Sequence, residues 1–113
     1  MAIFNTSVTS TNGPLSSGSG DRAITTLIFC NTSLYDAETP TAKLSKLYVY
    51  AVPSGGTAGN GNIIVNGLPI PAGETVSFDQ EKMVLGTGDS LVAKATNIES
   101  IDNITATVSI LVV

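Results

Sequence analysis

The C-terminal stretch constrains this chain more than any other. Ile104-Thr105-Ala106-Thr107-Val108-Ser109-Ile110 alternates apolar and small polar side chains, and Leu111-Val112-Val113 is apolar on both faces. A period of two marks a strand with one buried face. A chain ending on such a strand is expected to have that end tied into a sheet. Shorter runs of the same style recur upstream, so the sequence predicts an all-β protein.

Strand runs and turn signals alternate along residues 22–113. Strands are expected over residues 23–31, 43–52, 62–66, 75–79, 81–85, 90–96 and from Ile104 onward. Pro53-Ser54-Gly55-Gly56, Pro71-Ala72-Gly73-Glu74 and Gly86-Thr87-Gly88-Asp89 separate them as turns, where proline fixes φ and glycine permits positive φ. Leu68-Pro69-Ile70-Pro71 carries two prolines without an N–H, so it fits only an edge or an extended link. Only residues 79–85 offer a plausible helical turn. About seven or eight short strands predict a single antiparallel β-sandwich, immunoglobulin-like or jelly-roll-like in architecture. The Cys–Trp–Cys pattern of true immunoglobulin domains is absent, since the chain has one Cys and no Trp. The expected core is Ile24, Leu27, Phe29, Leu47, Val49, Ile64, Val76, Phe78, Leu91, Ala93, Ile104, Ala106, Val108 and Ile110. A slip of one residue would turn any of these strands over.

The chain divides into residues 1–20 and a sandwich domain, residues 21–113. Residues 9–20 are Gly-, Ser- and Thr-rich without periodicity and read as a loop or flexible arm. Residues 1–8 carry Ile3, Phe4 and Val8. These residues are either an apolar tip that reaches a partner, with Ile3, Phe4 and Val8 as its contacts, or simply the first strand.

At 113 residues the chain is sized for one domain. Charged residues make up only 12%, about half the usual ~25%. Its polar coat must therefore be Ser, Thr, Asn and Gly. Such a surface resists association weakly and suits either a protein covered by partners or a soluble monomer with a Thr/Asn-rich coat. The net charge of −4, with five basic residues and no stripe, argues against direct nucleic-acid binding. No apolar run approaches the ~20 residues of a membrane span. The N-terminal residues lack the basic and apolar regions of a signal peptide, so a chain made in the cytoplasm and not secreted is expected.

Chemistry finds little footing. With no His, no Ser-His-Asp, Cys-His or His-ligated metal arrangement can form. Asp79 and Glu81 sit two apart but are isolated, so they read as solvated turn residues. Residues 86–89 and 99–102 hold Asp89, Glu99 and Asp102 but match no calcium-loop pattern. Residues 55–61 are glycine-rich without a following Lys-Ser/Thr, hence a surface loop and not a phosphate cradle. Asn5-Thr6-Ser7, Asn31-Thr32-Ser33 and Asn103-Ile104-Thr105 match the glycosylation sequon and are taken as accidental. Cys30 reads as a buried, inert thiol of strand core. No catalytic residue, metal or cofactor is expected.

From Asp21 onward the chain resembles small virion structural proteins of tailed bacteriophages. The resemblance rests on residues 22–31 (Arg-Ala-Ile-Thr-Thr-Leu-Ile-Phe-Cys-Asn), 48–56 (Tyr-Val-Tyr-Ala-Val-Pro-Ser-Gly-Gly) and 68–75 (Leu-Pro-Ile-Pro-Ala-Gly-Glu-Thr). Lys82-Met83-Val84-Leu85, Gly88-Asp89-Ser90-Leu91 and the alternating final strand complete it. It implies a non-enzymatic sandwich built into the particle. A capsid cement or decoration protein on the major capsid protein is favoured, as a homo-oligomer and by preference a trimer. The alternatives are a neck, tail or fibre accessory, or a carbohydrate-binding module, which would want exposed aromatics.

Overall fold

Residues Arg22–Asn31 form the longest strand because β-branched and aromatic side chains fill it without a proline or glycine. In the computed structural model, which describes residues 2–16, 20–79, 82–97 and 102–112, this strand is the third of nine. The others are β1 (Ala2–Val8), β2 (Gly13–Ser16), β4 (Ser45–Val52), β5 (Ile63–Ile70), β6 (Thr75–Phe78), β7 (Met83–Leu85), β8 (Ser90–Asn97) and β9 (Ile104–Val112), with Arg22–Asn31 as β3. No helix occurs among the described residues. Residues 83–85, the end of the expected helical turn, are a strand; Gln80 and Glu81 lie outside the described residues.

The strands form two antiparallel sheets that pack as a sandwich. One has the order β1-β9-β3-β6, with β7 also paired to β3; the other has the order β2-β8-β4-β5. β3 meets β7 along Arg22–Ile24 and β6 along Leu27–Cys30, so β6 and β7 divide one edge between them. Its register against β9 shifts between Ile24 and Thr26, at that break. The ammonium of Lys82 covers the gap, donating to the Thr25 carbonyl at 2.9 Å and to the Asp79 carbonyl.

Between the sheets lies the core. Phe29, Ala106 and Val108 from one sheet are fully buried against Leu47, Val49 and Leu91 from the other. Phe29 meets Phe78 edge to face, with centroids 6.0 Å apart and planes at 74°. Each such large side chain contributes roughly 1.5–3 kcal/mol by leaving water.

Four expectations are corrected. Residues 13–16 are a strand and not loop: Leu15 is buried and fastens β2 beside β8, overriding the Gly/Ser composition. Ile64 is not core; it is 48% exposed. β5 carries two extra residues relative to β4, Ile64 and Gly67, and each reverses the alternation. Gly67 has φ +76°, a left-handed conformation that side chains rarely adopt, and it lies against the Tyr48 ring. Cys30 is only partly buried and alternates outward, next to the inward Phe29, with Thr105 and Thr75 as its cross-strand neighbours. Val8 is 3% exposed and belongs to the core. Residues 2–8 take the first-strand form of the two expected, paired with β9 in unbroken register from Ala2↔Ile110 to Val8↔Ile104.

Candidate functional site

Where strands give way to loops, buried carbonyls lose their sheet partners and need other donors. At the start of β3, Arg22 meets that need. Its guanidinium donates to Ser16 Oγ at 3.0 Å, to the Gly20 carbonyl at 2.9 Å and to the Asp89 carbonyl at 2.7 Å. Asp89 organises the neighbouring turn: one carboxylate oxygen accepts from the Gly86 amide and the other from the Ser54 amide, both at 2.9 Å. These two amides, Gly86 first, hold its carboxyl below the usual carboxylate range; burial opposes them weakly and Arg22 reinforces them. Gly88 sits in this turn at φ +87°, where a Cβ would fall 2.4 Å from Ser54 Oγ.

The far end of β3 is closed by neutral amides. Asn31 donates to the carbonyls of Lys43 at 2.8 Å and Ile70 at 2.9 Å. Its oxygen accepts from the Ser33 amide and from Asn103, both at 3.0 Å. Asn103 in turn accepts from Ser45 Oγ at 2.6 Å, and Asn97 donates to the same hydroxyl at 2.9 Å. Asn31 and Ser45 are fully buried and Asn103 nearly so. Two of the three sequons are therefore sealed inside the folded protein, and only Asn5 lies at the surface. Among the described residues, no buried side-chain nitrogen or oxygen lacks a partner.

These two clusters tie strand ends to the loops beside them. Asp89 has both oxygens engaged, Asp79 and Asp102 are exposed and apart from it, and Glu81 and Glu99 lie outside the described residues. Among the described residues no group of three or more His, Cys, Asp or Glu gathers. A depression of about 230 Å³ lies under the loop between β3 and β4, lined by Leu34, Asp36, Thr39, Ala42, Lys43 and Ala72.

The surfaces differ more than the pockets do. All seven described acidic residues (Asp21, Asp36, Glu38, Glu74, Asp79, Asp89 and Asp102) lie outside the strands. In the five-stranded sheet the only charged strand residue is the buried Arg22. Its outer face is a neutral field. Ser7–Thr105–Cys30–Thr75 forms one cross-strand row and Asn5–Thr107–Ile28–Ser77 the next. Toward one end it turns apolar, as Leu111, Ala23 and Val84 align across β9, β3 and β7 and Ile3 lies beside them on β1. The four-stranded sheet instead shows charge: Lys46 is exposed, and the Lys94 ammonium sits 5.3 Å from the centre of the Tyr48 ring.

Of the three residues expected to contact a partner, Ile3 is 71% exposed and Phe4 42% exposed, while Val8 faces the core. Composition gave no sign of Leu34 and Tyr35, which stand out on the β3–β4 loop. No family model, curated protein sequence or solved structure matches this chain.

Proposed function

We propose that this chain is a non-enzymatic structural protein of a tailed-phage virion, favoured as a capsid cement or decoration protein bound to the major capsid protein shell. One observation supports the proposal beyond the sequence resemblance: no strand residue on the outer face of the five-stranded sheet is charged, and the Lys82 ammonium sits only at its β6–β7 edge. β9 is about 30 Å long at ~3.4 Å per residue and four strands span about 20 Å, so the face covers roughly 600 Å². That approaches one partner's share of a standard interface. Short aliphatic groups gain by burial and hydroxyls can be satisfied by hydrogen bonds across an interface, whereas charges would have to be paired as well. The same face supports assembly as a homo-oligomer, with a trimer on a local three-fold as the favoured form on a shell.

Mass spectrometry of purified virions, with copy number, tests this. Hundreds of copies would support the cement role, and six or twelve would move the protein to the neck or tail. Absence from the particle would sink the proposal.

The alternative is a carbohydrate-binding module on a fibre, and Tyr35 favours it. This ring is 61% exposed on the β3–β4 loop, where a sugar face could stack on it. Glycan-array binding that disappears in Tyr35→Ala would select this alternative over the cement role.

A further inference from the structure

Sheet edges offer unpaired N–H and C=O groups to any passing strand, and proteins blunt them. Four of the five edge elements here are blunted. β2 has four residues, Pro14 and a register shift. β5 has Pro69 and two bulges. β6 and β7 have four and three residues. β1 alone carries none of these devices. It runs seven residues, Ala-Ile-Phe-Asn-Thr-Ser-Val, without a proline, a charge or a shift in register. Its other edge is taken by β9, and among the described residues no strand pairs with the remaining one.

The side chains of β1 repeat the message on both faces. Ile3 points to the outer face of the sheet and is 71% exposed, and Phe4, on the inner side, is still 42% exposed. Phe4 borders a small cleft with Thr6, Val8, Gly13, Leu15 and Ala93, where the two sheets part. A partner that covers Ile3, Phe4 and the backbone edge together is one that adds a strand.

We propose that this partner is a second copy of the chain, with β1 pairing antiparallel to β1 about a two-fold axis. Charge selects this occupant. A two-fold contact sets each edge against itself, and any charge near the axis meets its own sign. β1 has no charged side chain, so it can approach its own copy although each chain carries a net −4. Pairing centred on Asn5 gives the longest overlap and sets Ile3 against the partner's Ser7. The two Phe4 rings then become diagonal neighbours, within reach of one another. The two five-stranded sheets join into one. A two-fold edge closes at two copies, so this contact is separate from a three-fold contact on a shell, and it does not rest on the virion reading.

Sedimentation and light scattering on the full chain test it, with two double variants at exposed outer-face positions. The wild-type protein is expected to be a concentration-dependent dimer. Ile3→Lys with Ser7→Lys sets like charges opposite each other and should weaken dimerisation by about tenfold or more. Ile3→Glu with Ser7→Glu should do the same, and an equimolar mixture of the two variants should recover a heterodimer. Recovery cannot come from variants that have lost their fold. A monomeric or trimeric wild type, an undiminished Lys-variant dimer, or a mixture that stays monomeric would each overturn the proposal.

Discussion

At Arg22, where β3 begins, one guanidinium donates to two carbonyls and a hydroxyl; at Asn31, where it ends, side-chain amides supply the donors. Both ends must satisfy carbonyls that the sheets leave over. The charged end concentrates its donors in one long side chain and adds a carboxylate turn beside it. The neutral end spreads the work over Asn31, Asn97, Asn103 and Ser45, drawn from four strands or their flanks. A distributed amide network has no titrating member, so its contribution is constant with pH. The Arg22–Asp89 end includes a carboxylate with a lowered pKa and must respond to acid.

The largest effects should come from the neutral end. Asn31→Ala removes a buried donor to the Ile70 carbonyl and the acceptor of the Ser33 amide, and takes one partner from the Lys43 carbonyl and from Asn103, which keep each other. At about 1–3 kcal/mol per orphaned buried group, incompletely additive, a loss of about 3–5 kcal/mol is expected in urea unfolding. Phe29→Ala, between the two ends, should cost a similar 3–5 kcal/mol and calibrates the scale. An Asn31→Ala loss below about 1 kcal/mol would mean that water replaces the network.

Arg22→Met comes next. It keeps the aliphatic stem and removes the donors to Ser16, Gly20 and Asp89, for about 2–3 kcal/mol. If Arg22→Met proves as costly as Asn31→Ala, concentration of the donors in one side chain makes no difference and the contrast between the ends fails.

The smallest effect is visible only in acid. The folded Asp89 carboxyl titrates below its unfolded value of about 3.9. Its stabilisation is therefore fully present above that value and is lost as pH falls through the lower folded one. Melting temperatures recorded from pH 6 to pH 2 should fall less steeply for Asp89→Asn than for the wild type. Parallel curves would show that the carboxylate turn does not carry the acid sensitivity. Asn103→Ala should lower the whole curve without changing its slope.

Much of the sandwich was legible because period two survives in β8 and β9, in β3 on either side of its shift at Thr25 and in the first half of β4. What escaped was set by tertiary context. Leu15 is a single apolar residue among Gly, Pro and Ser, and nothing local says that β8 waits beside it. Ile64 fails because two bulges in β5 break the count, and only Gly67 marks one of them in the sequence. Asn31 and Asn103 look like turn residues or sequons; their meeting spans 72 positions, a separation no local pattern encodes. On the proposed contact surface, apolar residues in an N-terminal strand pointed to Ile3 and Phe4. Val8 belongs to the same run but lies under the sheet, because the inner side of β1 is open at Phe4 and covered at its other end.

Consider β9 from the standpoint of synthesis. It lies between β1 and β3, so the first strand has no hydrogen-bonding partner until one of the last segments of the chain has been made. The Thr107 hydroxyl that donates to Asn5 joins residues 102 positions apart. Closure over so long a loop places this protein among slow-folding, high-contact-order chains. On the ribosome β1 must wait with both edges open, and its lack of charge, useful for pairing with its own kind once folded, is then a hazard. That exposure lasts until β9 is made and pairs with it.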